Sequence, residues 1–335
     1  MADHAGCGWY RIMLPLGQLR EYGHETKWAR KATTTDVETS DVIIGQRTCD
    51  PAPTLRWQEW AAKKNREYLM VYDLDDNLWA VDTNNPASVA FSDPTIRRNL
   101  ISNVAVADLV TVSTEPLAQV VRRWNTNVVV LPNAIPSGML SWRTGRHEDR
   151  VTVGWQGGPT HGKDWEVAAE PVARWFNQAR KAGVEIEMHT VGALPDHGPR
   201  CRADCRTDHF PVIHPHRHSP WDRDIAGYYR RLDWHIALAP LAPTRFNESK
   251  SHLRALEAAM LGFPVVASNV EAYGQFVQHG RTGFLVDRPS DWGRWLGELV
   301  GDADLREDMG RAARAHAQQH TIEQTGKLWE EAYSQ

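Results

Sequence analysis

Long hydrophobic runs, cysteines and a surplus of one charge are all scarce in this 335-residue sequence. No apolar stretch approaches the ~20 residues that cross a bilayer as a helix, so a membrane-spanning helix is not expected. The opening Met-Ala-Asp-His-Ala-Gly-Cys has none of the charged-then-apolar layout of a secretory leader, and a cytoplasmic location is the expectation. Four cysteines in a chain of this length make no disulfide framework. A formal net charge of -4 gives no overall electrostatic footprint for nucleic acid or an anionic membrane, although a local basic face stays open. Internal repeats and low-complexity tracts are absent too, which sets solenoids and fibrous folds aside.

What is present points to a folded α/β protein of two domains. The length exceeds what one hydrophobic core usually serves, and the 15 tryptophans are far more than such a chain normally carries. Apolar β-branched runs alternate with helix-like stretches, the pattern of parallel sheets covered on both faces. Strands are expected at 41–45, 68–73, 108–113 and 127–131, with helices around 14–22, 55–66, 94–105 and 115–124. A second series runs through 151–155, 185–191, 211–214, 234–239, 264–267 and 283–286. The polar, Gly- and Arg-bearing stretch 141–150 is the natural linker. This divides the chain into an acceptor-side domain at 1–145, a nucleotide-binding domain at 146–318 and a C-terminal helix at 319–335 that is placed against the first domain.

Two segments carry chemistry. In Gly154-Trp-Gln-Gly157-Gly158-Pro-Thr160-His161-Gly-Lys163-Asp164, a strand, a glycine turn and a helix start follow one another. Free backbone N–H groups and the helix dipole there favour a phosphate. Gly157 and Gly158 let the backbone come close, Thr160 or His161 caps the helix, and Lys163 adds charge; a plain strand-to-helix turn fits the same spacing. The second segment, Ser249-Lys250-Ser251-His-Leu-Arg254-Ala-Leu-Glu257, reads as the start of a helix over 249–261 that Gly262 and Pro264 end. Lys250, Arg254 and Glu257 would share one face. Cations in a first turn oppose the macrodipole unless an anion docks there, the alternative being a solvated face with a loose ion pair. Together the two helix starts suit a nucleotide diphosphate along the carboxyl ends of the strands, with Glu257 accepting from the ribose hydroxyls.

The run from Glu257 through Gly-Phe-Pro-Val-Val-Ala-Ser268, followed by Gly280-Arg-Thr-Gly-Phe-Leu-Val286, resembles the donor-site signature of retaining glycosyltransferases of family 4. Gly154 to His161 with Asp164 is similar to the opening of the C-terminal domain in a phage-type branch of those enzymes, and Pro132-Asn133-Ala134-Ile135 resembles the end of their N-terminal domain. The resemblance implies the GT-B architecture: two Rossmann-like domains with parallel sheets facing a cleft. It implies transfer of a hexose or pentose from a UDP- or GDP-sugar to an acceptor hydroxyl, with retention and with no metal or other cofactor required. Family members carry two glutamates separated by seven residues. Glu257 matches the second, Ser249 stands at the first, and Glu248 is one residue early.

In the N-terminal half, Gly6-Cys-Gly8-Trp-Tyr-Arg11 resembles the family's glycine loop, although no convincing strand precedes it. Asp73, Asp75 and Asp76 follow a buried strand and should face the cleft; acceptor binding, a divalent metal and helix capping are the alternatives. Lys250, His161 and Asp73 are the catalytic candidates, and Gly8, Arg11, Asp73, Asp75 and Asp76 the acceptor-side ones. Lys163, Lys250, Ser251 and Arg254 complete the donor set. Cys201, Cys205, His209 and His214 offer a set of zinc ligands whose spacing matches no common zinc pattern, against a polar surface loop.

Three functions stay open: transfer to a small molecule, glycan or protein; the same transfer to a hydroxymethylated base in phage DNA; and a non-catalytic nucleotide-sugar-binding protein. The DNA reading needs a basic rim, with Arg122, Arg123, Arg143, Arg146, Arg230 and Arg231 as its candidates.

Overall fold

The computed structural model describes residues 1, 6–141, 149–192, 212–216, 225–230 and 232–334. Two parallel sheets form two lobes. The first contains β1 (Val42–Gln46), β2 (Leu69–Leu74), β3 (Leu109–Val112) and β4 (Val128–Val130), side by side in chain order. The second contains β5 (Val151–Gly157), β6 (Ile186–Gly192), β7 (Val212–His216), β8 (Ile236–Ala239), β9 (Val265–Ser268) and β10 (Gly283–Val286), in the order β10-β9-β8-β5-β6-β7. The expected strands therefore form, with ends moved by a few residues.

The order decides where a ligand belongs. From β5 the chain builds outward through β6 and β7, then returns to the other side of β5 with β8. Open parallel sheets generally bind ligands outside the carboxyl ends of the strands at such a reversal, here β5 and β8, where helices leave on opposite faces. Both glycine-turn and Lys250 segments follow these strands.

Strand β2 shows why the sheets are buried on both sides. Met70, Tyr72 and Leu74 join one core cluster, whereas Val71 joins another on the opposite face with Leu109, Leu131 and Trp329. Alternate side chains of a parallel strand need apolar partners on both faces. The tryptophans fill these layers. Trp57 lies against the open face of Gly45, and Trp234 against Gly154, where an added Cβ would sit 1.8 Å from the indole. Burial of such a ring is worth roughly 3–5 kcal/mol against alanine.

Two helix expectations are corrected. The first runs Pro51–Ala61, not 55–66, because Pro51 stands in the first turn, where a missing N–H costs nothing; Asn65 beyond it takes a left-handed φ of 56°. The donor-side helix is only Leu253–Met260, not 249–261. At the chain end, Thr321 forms a bridge with Ile135, and the helix Ile322–Tyr333 then packs on the helix Leu14–Glu21 of the first lobe.

Candidate donor site at the lobe interface

After β5, Gly157 lies under Trp155, its virtual Cβ 2.4 Å from the ring, so the strand itself demands a glycine. Gly158 is different. Its φ of -83° and ψ of 179° suit any residue, and an added Cβ would meet nothing within 4 Å. The protein's own packing therefore leaves open space against the backbone at Gly158.

The turn Pro159–His161 leads into the twenty-residue helix Gly162–Lys181. Neither Thr160 nor His161 caps it with a side chain, which corrects that expectation. Instead His161 Nδ1 lies 2.9 Å from Asp164 Oδ2, and its Nε2 lies 3.4 Å from Arg254 Nη2. Burial, with help from Arg254 and Lys250, pushes the imidazole down to about 4, against the hydrogen bond to Asp164. It is neutral near pH 7. The network then assigns Nδ1–H as donor to Asp164 and the Nε2 lone pair as acceptor from Arg254. Asp164 Oδ1 accepts from Ala242 N at 3.0 Å and from Asn247 Nδ2 at 2.6 Å, tying the turn after β5 to the loop after β8. Burial raises the Asp164 carboxyl, but its bonds to His161 and the Ala242 N–H outweigh that and hold it below its ordinary value.

Lys250 is not helical. It has extended geometry (φ -71°, ψ 154°) three residues before the Leu253–Met260 helix, so Lys250, Arg254 and Glu257 do not form one helical face. They are gathered by the loop instead. Lys250 Nζ lies 4.6 Å from the Phe246 ring centre and 3.8 Å from Asp76 Oδ1 of the first lobe. Arg254 occupies the first helical turn; burial works against its charge, yet Glu257 and the nearby tyrosines hold its pKa above the ordinary value. Ser251 Oγ accepts from Asn133 Nδ2 at 3.0 Å. Lys163 reaches Asp82 at 3.3 Å, and the carbonyl of Thr160 lies 3.5 Å from Asn85 Nδ2. Thus His161, Lys250 and Arg254 converge beside Gly158 from two chain segments, an arrangement able to bind an anion.

Glu257 is nearly enclosed, at 5% exposure. Its Oε1 accepts from Tyr10 at 2.7 Å and Tyr229 at 2.5 Å, and its Oε2 from Gln156 Nε2 at 2.8 Å. Tyr228 donates to Gln156 Oε1 at 2.8 Å. Burial and the facing carboxylate push both the Tyr10 and Tyr229 phenols well above their ordinary value, so both remain donors. These tyrosines escape sequence reasoning. Tyr10 lies within the quoted glycine loop but signals nothing by spacing, and Tyr228 and Tyr229 belong to no motif.

The first lobe brings one correction. Asp73 and Arg11 are withdrawn from the cleft: they form a fully buried pair at 2.7 Å. Thr111 Oγ1 also donates to Asp73 at 2.8 Å, and Arg11 Nη1 donates to the Leu131 carbonyl and to Asn133 Oδ1. With its oxygens so engaged, Asp73 has no access to a reacting group in this structure. Gly8 is buried in helical geometry (φ -64°). Asp75 and Asp76 stand at the end of β2. Burial pushes Asp75 up to about 6, against the pull of Arg47 at 3.7 Å. Arg47, which no sequence motif marks, directly follows β1 with a φ of 51°, a conformation that non-glycine residues rarely adopt.

Cys201, Cys205 and His209 lie outside the described residues, as does the side chain of His214; among the described residues no group of three or more His, Cys, Asp or Glu is poised for a metal. Of the proposed basic rim, Arg122 is paired with Glu115, Arg123 and Arg230 are exposed, and Arg143, Arg146 and Arg231 lie outside the described residues. No described helix is long and apolar enough to cross a membrane.

Residues 154–330, which contain this whole convergence of Gly158, His161, Lys250, Arg254 and Glu257, match the family model described as glycosyl transferases group 1. The chain belongs to that family. Among its curated relatives is a D-inositol 3-phosphate glycosyltransferase of Paenarthrobacter aurescens, 34% identical over 168 residues, which covers 46% of this chain and 37% of the relative. A protein of the same name from Corynebacterium jeikeium is 42% identical over 114 residues, 32% of this chain and 26% of the relative. The chain thus matches well under half the length of these relatives. Among solved structures, Anabaena HepE in complex with UDP-glucose superposes with a TM-score of 0.60 at 14% identity, covering 90% of this chain and 80% of that one. A Rickettsia africae glycosyltransferase gives 0.62 at 11% identity, covering 100% and 95%. The fold is GT-B.

As a group 1 glycosyltransferase the chain departs from the resemblance at the first glutamate position. Ser249 is 2% exposed, and its carbonyl accepts from Thr114 Oγ1 at 2.8 Å, while Glu248 is exposed. The segment is thereby fastened to the first lobe through its backbone. Gly158 offers a test of the neighbouring turn. Gly158→Ala should leave the unfolding temperature unchanged or slightly raised, because an added Cβ meets nothing within 4 Å, yet weaken nucleotide-diphosphate binding about tenfold by obstructing close approach. Calorimetry beside a thermal melt checks both halves.

Proposed function

We propose that the protein transfers a sugar from a nucleotide-diphosphate sugar, a UDP-sugar in the first instance, to an acceptor hydroxyl. The observation that carries this is the convergence of His161, Lys250 and Arg254 beside Gly158, where the order of the second sheet reverses. The UDP and UDP-glucose named with structural neighbours support the choice of nucleotide. Arg254 and Lys250 take the two phosphates and stabilise the negative charge that grows as the diphosphate leaves. Neutral His161 turns Arg254 toward the ligand. The cleft holds the acceptor hydroxyl near the anomeric carbon, and Asp75 and Asp76 are its first-lobe contacts.

No protein nucleophile is invoked. Transfer with retention, in which the departing phosphate takes the acceptor proton on the same face, fits these groups, and the two cations supply the charge without a metal. The names of the curated relatives favour a small polyol or its phosphate as acceptor over a base in DNA. A cytoplasmic setting goes with this reading.

The experiment is a thermal-shift panel of UDP-, GDP- and ADP-sugars with an assay for nucleotide release. A ligand bound only by the native state raises apparent stability. UDP-sugars are expected to give the largest shift and UDP to be released on adding acceptor, and Lys250→Ala should remove most of the shift. An unchanged shift in Lys250→Ala rules that residue out as a phosphate ligand. Binding without release under every acceptor tried marks a non-catalytic protein.

A further inference from the structure

The residues given to the donor also meet groups of the first lobe. The Tyr10 hydroxyl sits 2.7 Å from Glu257, Asp76 3.8 Å from Lys250, and Asp82 3.3 Å from Lys163. Each of these first-lobe groups meets a residue that the proposed function gives to the donor, and each matches the donor in chemistry. A phenol hydroxyl donates to a carboxylate as a ribose hydroxyl does, and a carboxylate meets an ammonium as a phosphate oxygen does. Tyr10 and Tyr229 even place two hydroxyls, 2.7 Å apart, on the same oxygen of Glu257, in the manner of a vicinal diol.

We propose that these donor-like contacts compete with the donor, so that a nucleotide sugar enters by displacing Tyr10 from Glu257 and Asp76 from Lys250. This rests on the donor-site reading above. The two kinds of contact differ in weight. The pair of Lys163 with Asp82 is partly exposed and contributes little. The Lys250 contact at 3.8 Å is longer than a hydrogen bond, so a phosphate oxygen competes for it on favourable terms. Tyr10 is the strong member, being 2% exposed and bonded to a charged group.

Tyr10 also cannot leave alone. Its ring is enclosed at 2% exposure in a core cluster with Tyr229 and Trp234, and its neighbour Arg11 is locked onto Asp73 and the Leu131 carbonyl, so freeing Glu257 calls for a shift of the first lobe against the second as well as of one side chain. The same guanidinium reaches Asn133, which donates to Ser251 in the Lys250 loop. Donor entry and lobe opening are thereby one event, and the apparent donor affinity is reduced by the fraction of molecules that are open.

The test is calorimetric titration of UDP into the wild-type chain, Tyr10→Phe and Asp76→Asn. Tyr10→Phe leaves Glu257 bonded to Tyr229 and Gln156, so it strands no charge. It is expected to bind UDP about tenfold more tightly than wild type. Equal or weaker binding by folded Tyr10→Phe overturns the proposal. If that variant does not fold, Asp76→Asn decides in the same sense, tighter binding supporting the proposal and equal or weaker binding refuting it. Failure of the donor-site reading looks different: UDP then binds none of the three proteins, and both ideas fall together.

Discussion

Asp73→Ala is expected to lower the free energy of unfolding by about 3–5 kcal/mol. The carboxylate takes Arg11 Nη2 at 2.7 Å and Thr111 Oγ1 at 2.8 Å, with no exposure of either charged side chain. Its removal leaves a guanidinium buried over the Trp329 ring with only the Leu131 carbonyl and Asn133 to hold it. A buried cation without its counter-charge is among the costliest defects that a single substitution makes. Arg11 also joins the first helical turn, β2, the end of β4 and the C-terminal helix, so the loss should reach the whole lobe. Urea unfolding followed by circular dichroism measures it. A variant of wild-type stability that has lost turnover would instead restore Asp73 to the chemistry.

Arg254→Met should weaken UDP binding by roughly 10- to 100-fold, the loss expected for one or two charge-assisted hydrogen bonds to phosphate. Methionine keeps much of the stem's packing volume, so the fold should survive. Glu257 keeps its bonds to Tyr10, Tyr229 and Gln156, which prevents a second defect from confusing the result. His161 loses a hydrogen bond but keeps Asp164. Calorimetry with UDP and with UMP separates the phosphates, since the loss should be larger for the diphosphate. Equal affinities of variant and wild type for UDP would remove Arg254 from the site.

The sheets were legible because their cause is local. A strand buried on both faces, such as β9, reads as a short apolar run, and Gly262 and Pro264 mark where it begins. Gly157, Gly158 and the Lys250–Glu257 stretch were legible for the same reason, since each motif is continuous in the chain. The orientation of their side chains was not. Spacing placed Lys250 on a helix, whereas Asn247 turns toward Asp164 and leaves Lys250 extended, a contact made across 83 residues. Asp73 reads as a cleft carboxylate until Arg11, 62 residues earlier, is seen folded onto it. Tyr229 becomes meaningful only when Glu257 and Tyr10 close around it. Long-range polar networks of this kind leave no periodic trace, and they decide which charges face the cleft.

The most direct measurement is a crystal structure with UDP. The β-phosphate is expected within hydrogen-bond distance of Arg254 and Lys250, above Gly158, with Lys250 released from Asp76. A pyrophosphate bound elsewhere, with Lys250 still beside Asp76 and Arg254 still on His161, would contradict the assignment of these cations to the donor.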